Sequence, residues 1–247
     1  MVVPLSRSDS SGGSDWQTGI RMTEADKPKD KEEGADVQKR LIRTAIDQYG
    51  HRGTQVSLRA IQREAGVLNE AAIRYYFGSK DGLLDACMAS LAARFIPVAE
   101  RMIAQSLADG DGQKVTVRDV AVVLVGAFYT LQLSDAAGIK LIARMIREEG
   151  KTGQDLLVKH FGKAIWMLEA ELQKVMPEKP LKAIRLHMFL AINNTVNGLV
   201  DQELLWRLPP VEEGKEHYCL SESELAFGFI DYITAGMGVA SPRAGKS

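Results

Sequence analysis

SLRAIQREAGVLNEAAIRYYFGSK, residues 57–80, reads as two short helices around a tight turn. Ser57 is a good N-cap residue, because its hydroxyl can accept from a free N–H of the first turn. Leu58, Ile61 and Ala65 follow at helical spacing and give one apolar stripe. Gly66 stands where a helix end commonly needs a left-handed residue, a conformation glycine adopts at little cost. Asn69 can cap a second helix, with Ala72, Ile73, Tyr76 and Phe77 as its inward face. Gly78 ends that helix and Ser79 can cap the next. Two helices packed across a glycine turn make a helix-turn-helix, whose second helix fits the DNA major groove.

The outward residues agree. Asn69, Glu70, Arg74 and Tyr75 are groups able to meet base edges and phosphates. Ser57, Arg59 and Lys80 lie at helix starts, where backbone N–H groups and the positive dipole end favour phosphate oxygens. An ordinary surface αα-hairpin with a few basic residues is the rival reading, and the pattern alone leaves both open.

The run AGVLNEAAIRYYFGSKDGLL, residues 65–84, resembles the DNA-binding signature of TetR-family repressors. That signature is Ala-Gly-Val, a short turn, then a Tyr- and Phe-containing helix leading into Gly-Ser-Lys. The resemblance spans residues 35–84, including a preceding amphipathic helix; beyond that it covers only helix count and chain length. The turn is one residue longer than in the commonest members. Tyr76 stands where many members carry histidine, so phosphate contact and core packing are both open to it.

The rest of the chain is consistent with a DNA-binding head on an all-α body. It has 247 residues, of which 45% are hydrophobic and 26% charged, enough for one large or two small cores. Strand patterns are scarce and 3.6-residue periodicity is frequent. The net charge is −1, yet residues 35–80 carry eight basic and four acidic groups, while the segments on either side are net acidic. Positive charge is thus concentrated where DNA would be touched. Cys87 and Cys219 are far apart in helical patterns, so no structural disulfide is expected. The four histidines show no metal-ligand spacing. The longest uncharged apolar stretch, residues 120–133, falls short of the roughly 18–20 residues of a bilayer span. A soluble, cytoplasmic protein is expected, with no membrane partner.

Residues 1–34 are rich in Ser, Gly, Asp, Lys and Glu and are expected to be a disordered tail; Met22 is an alternative natural start. A first helix over 36–49, stopped by Gly50, packs under the reading head, with Lys39, Arg40 and Arg43 facing solvent. From residue 80 a long helix runs toward 106, kinked or split by Pro97. Residues 108–113 form a loop. Thr116 caps a helix over 117–133 that is apolar all round and so belongs in the middle of a bundle. Further helices are expected over 136–149, 154–176, 179–208 and 221–236, the last opened by a Ser221–Glu224 capping box. A charged connection over 211–220 precedes that helix, and a loose tail follows 238. About nine helices result, three in a head over 35–80 and six in a body over 81–240, the count the resemblance implies.

No catalytic constellation is present: no Gly-rich phosphate loop, HExxH, CxxC or Gly-x-Ser-x-Gly elbow. No enzyme activity, cofactor or metal is expected. His160 and His187 read as satisfied core histidines. Asn193, Asn194, Thr195 and Asn197 form a polar run in an otherwise apolar helix, and need partners from another subunit, water or a ligand. The helix over 179–208 and the last helix are apolar on more than one side. The resemblance implies that they pair across a twofold axis, with Ile192, Val196, Leu199, Phe229 and Ile233 in the homodimer interface. Phe128, Tyr129, Met145, Phe161, Trp166, Met167 and Met188 read as core from the sequence. The resemblance implies that some of them, with Asn193, line a cavity for an unidentified, largely apolar small-molecule effector. It further implies a repressor released from a palindromic double-stranded DNA operator by that effector. The alternative is a constitutive DNA-binding dimer with no effector.

Overall fold

The computed structural model describes residues 27–69, 71–109, 115–207 and 220–238. The chain divides into two units, 1–36 and 37–247. In the first, residues 27–36 are helical, so the segment 27–34 belongs to helix α1 (Lys27–Arg52) and not to a disordered tail. Pro28 suits a first helical turn, and the Lys/Glu mixture that follows favours helix without any apolar stripe to reveal it. The remainder of the expected tail, 1–26, lies outside the described residues, as do most of the loop after 108, the connection 208–219 with Cys219, and the segment after 238.

The architecture is all-α, with ten helices and no strand among the described residues. After α1 come α2 (Leu58–Glu64), α3 (Ala72–Phe77), α4 (Lys80–Asp109), α5 (Val117–Ser134), α6 (Ala136–Arg147) and α7 (Gly150–Val175). They are followed by α8 (Leu181–Val200), α9 (Gln202–Arg207) and α10 (Glu222–Gly238).

Gly50 does not stop α1; the helix runs on to Arg52. The glycine is needed for a different reason. A Cβ at Gly50 would lie 2.2 Å from the carbonyl oxygen of Ala137, because the start of α6 presses on the end of α1. Leu41, Ala45 and Tyr49 of α1 are fully buried, and the Cys87 thiol of α4 approaches the Ile42 carbonyl at 3.8 Å. Burial pushes the Cys87 thiol and the Tyr49 phenol well above their ordinary pKa values, so both stay neutral.

Pro97 neither ends nor splits α4. Ala93, whose carbonyl loses its helical donor to the proline, is on the exposed side, where water can replace that donor. α5 occupies the centre: α4, α6, α7, α8 and α10 all pack on it, and Val120, Leu124, Phe128 and Leu131 are buried. α4 and α5 are each long and apolar enough to cross a membrane by length and composition, which the count of uncharged residues did not anticipate. Their apolar surface is turned into the bundle core. Thr116 and Asp119 close α5 with a capping box, and Ser221 with Glu224 does the same before α10.

The long helix expected over 179–208 is two helices, broken at Asp201. Asn197, Gly198 and Asp201 are weak helix formers in that turn. α10 is fastened to α5 by the Arg118–Asp231 ion pair at 2.5 Å and by the Tyr129 hydroxyl donating to Glu222 at 2.9 Å.

Candidate nucleic-acid interface and body cavity

The helix-turn-helix is assembled by local hydrogen bonds. The Ser57 hydroxyl accepts from the Ala60 N–H at 3.3 Å, capping α2. Gly66 takes the left-handed φ of +65° that turns the chain. Gln62, only 5% exposed, reaches over the turn: its Nε2 donates to the Asn69 carbonyl at 3.1 Å, while its own carbonyl accepts from Val67 at 3.0 Å. The sequence reading passed over Gln62, because a glutamine on a helix is ordinarily solvated. The Asn69 side chain accepts from the Ala71 N–H at 2.9 Å within the turn, so it does not cap α3 as expected; the N-cap is Ala71, with no side-chain cap. Ser79 likewise accepts from Gly82 at 3.1 Å to cap α4.

Ala72 and Ile73 are buried against α2 and α4. Tyr76 and Phe77, the rest of the expected inward face, are half-buried against the core. Tyr76 stacks edge-on against Tyr75 at 4.9 Å. Its environment is a packing position at the margin of the exposed face. Arg74 and Tyr75 project outward on α3, with Tyr75 80% exposed. Ser57 and Arg59 are exposed at the start of α2, and Lys80 is half-buried at the start of α4. Glu70 lies outside the described residues. Leu68, 98% exposed at the tip of the turn, was not singled out as a contact residue. A leucine with no burial in the turn that leads into α3 is a candidate for apolar contact with a thymine methyl.

The head is tied to the body at two places. α4 leaves α3 so closely that a Cβ on Gly82 would lie 1.9 Å from the Phe77 carbonyl oxygen. The end of α6 meets the end of α1: Arg144 Nε donates to the Gly50 carbonyl at 3.2 Å, and the Thr54 hydroxyl donates to Glu149 at 2.5 Å.

In the body, residues of α4, α5, α6, α7 and α8 line a cavity of about 530 Å³ that opens to the surface beside Val158 and Phe189. Phe95, Phe128, Phe161 and Phe189 line it, together with Leu and Ile side chains. Arg147, Gln154 and Asn193 are its polar lining. Of the expected pocket residues, Phe128, Phe161 and Asn193 come together here. Tyr129, Met145, Trp166 and Met188 do not line it. Met145 and Met188 are fully buried in core contacts, Trp166 is 66% exposed on α7, and Tyr129 turns toward Glu222. The helical period carries residues one or two positions from a cavity wall to another face.

Exposure on α8 and α10 separates the expected interface residues from the outer faces of those helices. Val196, Leu199 and Ile233 are buried within the chain, Ile192 lines the cavity, and Phe229 lies across Gly198. The large apolar side chains left exposed include Leu186, Phe189 and Leu190 of α8 and Phe227 and Tyr232 of α10. Both helices are apolar on more than one side, so the sequence could not say which stripe turns inward. Between these faces lies a groove of about 470 Å³ holding Asn193, Asn194, Asn197 and Tyr232. Asn193 donates to the Phe189 carbonyl at 2.9 Å, whereas Thr195 Oγ1 and Asn197 Oδ1 are buried with no hydrogen-bond partner among the described residues. His160 is satisfied by Asp85 at 2.8 Å; burial, then the nearby Lys179, holds His187 below its ordinary value.

Residues 41–87 match the profile of the bacterial regulatory proteins, tetR family. The head is thus a TetR-type DNA-binding domain. The HTH-type transcriptional dual regulator CecR of Shigella flexneri is 41% identical over 83 residues, 31% of this chain and 37% of that protein. The HTH-type transcriptional regulatory protein RaaS of Mycobacterium tuberculosis (strain ATCC 25618 / H37Rv) is 48% identical over 48 residues, 19% of this chain and 22% of the relative. The chain thus matches well under half the length of these curated TetR-type regulators. The crystal structure of Mycobacterium smegmatis AmtR shares the fold, with a TM-score of 0.54 at 16% identity over 83% of this chain and 87% of that one. The matched segment falls in the head built by α1 to α3 and the start of α4.

Proposed function

We propose that the chain is a cytoplasmic, homodimeric transcriptional repressor that holds a palindromic operator and releases it when a small molecule enters the body cavity. The observation that carries this reading is α4. Its first turn abuts the end of α3, and Phe95, on the same helix, forms part of the cavity wall. A ligand that favours one setting of α4 therefore acts on the placement of α3. The contact of Arg144 with Gly50 gives α6 a second hold on the head.

On the DNA side, Arg74 is assigned to a base edge and Tyr75 and Lys80 to phosphates, with Ser57 and Arg59 at the flanking backbone and Leu68 against a thymine methyl. Asn69 holds the turn before α3 through the Ala71 N–H, and Tyr76 is the inner buttress of the helix. The exposed stripes of α8 and α10, with the orphaned Asn197 oxygen beside them, support a partner subunit on that face. The volume and largely apolar lining of the cavity support effector release over a constitutive dimer. Selection of duplexes from a random library by the purified chain tests the reading. Enrichment of an inverted repeat with half-sites about one helical turn apart is expected; enrichment of no sequence at all would sink it.

A further inference from the structure

Resting on the body cavity as the effector site, we propose that the effector is an apolar molecule bearing one carboxylate, and that Arg147 takes this carboxylate in exchange for Asp201. The cavity wall is hydrocarbon and phenyl except for Arg147, Gln154 and Asn193. Arg147 is the one ionised residue among the described lining residues, and no carboxylate lines the space. A cationic ligand would have no counter-charge there. A neutral acceptor would gain a hydrogen bond from the guanidinium but no charge pairing.

Arg147 is also loosely held. Its Nη1 lies 3.5 Å from Asp201 Oδ2, with both side chains about half exposed. A charge-assisted N–H···O pair normally closes to about 2.7–2.9 Å. The neighbouring carboxylates are committed elsewhere: Glu148 to Arg144 at 2.5 Å and Glu149 to the Thr54 hydroxyl at 2.5 Å. Arg147 ends α6 and Gln154 lies near the start of α7, so guanidinium and amide donors flank the same helix junction. A carboxylate at this rim stays partly hydrated while its apolar body reaches Phe95, Phe128 and Phe161. Asp201 terminates α8, so the exchange frees the end of a helix whose outer face is assigned to the partner subunit.

Calorimetric titration of the full chain with decanoate, 1-decanol and decylamine, and with 4-phenylbutyrate against its amide, tests this. Decanoate or phenylbutyrate should bind on the order of tenfold more tightly than its uncharged counterpart, the effect of a hydrogen bond to a charged group. Whichever acid binds identifies the body as alkyl or aryl. Arg147→Gln should abolish the preference and leave decanol unchanged. Asp201→Asn should tighten only the acids, by removing their competitor, an increase that a merely structural role for the pair would not give. Equal affinity for acid and alcohol, a preference that survives Arg147→Gln, or no binding by any probe overturns the proposal. Phe128→Trp, or Ile146→Phe if the former does not fold, fills the cavity. Probes that bind without acid preference and are lost on filling leave the cavity reading intact and refute the carboxylate. Acid binding that persists in the filled cavity refutes the cavity itself as the effector site.

Discussion

The Nε of Arg144 donates to the carbonyl oxygen of Gly50 at 3.2 Å, so a body helix satisfies an end carbonyl that α1 cannot satisfy itself. The same guanidinium pairs with Glu148 at 2.5 Å, which fixes its direction. The start of α6 presses on Gly50 from the other side. Arg144→Ala should lower stability by about 1–2 kcal/mol. It should also reduce the change in operator affinity caused by a cavity ligand, a coupling of about 5- to 150-fold in typical cases. Operator titrations with and without ligand measure it; an unchanged ligand response removes α6 from the route.

Arg74 and Lys80 should separate by sequence dependence. Arg74→Ala should cost about 1–3 kcal/mol on the preferred operator and relax discrimination at one base pair, since a side chain on a base edge is lost. Lys80→Ala should weaken all duplexes alike and reduce the salt slope by roughly one. Anisotropy titrations of both variants at several salt concentrations decide the matter. Two variants that behave as the parent does would mean that a different surface reads the DNA.

Exposure divides the residues of α8 and α10 into two classes with opposite outcomes. Tyr232→Asp, on the outer stripe, should leave the helices intact and yield monomers with weakened operator binding. Val196→Asp, fully buried, should unfold the chain, because an unpaired carboxylate in the core costs several kcal/mol. Sedimentation with circular dichroism distinguishes these states. A folded dimer in Tyr232→Asp would place the twofold axis elsewhere.

What the sequence made legible was local. Ser57, Gly66, Gly78 and Ser79 act within a few residues of themselves, and the turn chemistry expected of them is found in the structure, whereas Asn69 bonds within the turn and the N-cap of α3 is Ala71. The central place of α5 was legible because a helix apolar all round has nowhere else to go. Tertiary choices were not. Gly50 reads as a helix stop until the Ala137 carbonyl beside it is seen, and Pro97 reads as a break until its freed carbonyl proves to face solvent. Met145 and Met188 have the composition of cavity residues, but only the rotation of their helices decides that they face away.

Asp85 ties α4 to α7, and its protonation should show in the acid limb of stability. Lys159 Nζ lies 2.5 Å from its Oδ1, and His160 Nε2 2.8 Å from the same oxygen. The hydrogen bond from Lys159 does most to hold the carboxyl below its ordinary value; partial burial opposes it, and His160 adds to it. A carboxyl with a depressed folded-state pKa binds fewer protons in the native state than in the unfolded chain. The stabilisation is therefore fully present above the unfolded value of about 4 and is lost as pH falls through the folded one. With the side chain about a third exposed, solvent screening limits it to about 0.5–1 kcal/mol. Urea unfolding of Asp85→Asn should show that deficit at pH 7 and converge with the parent below about pH 4. A deficit that stays constant down to pH 3 would mean that packing at this position, and not the charge on Asp85, joins the two helices.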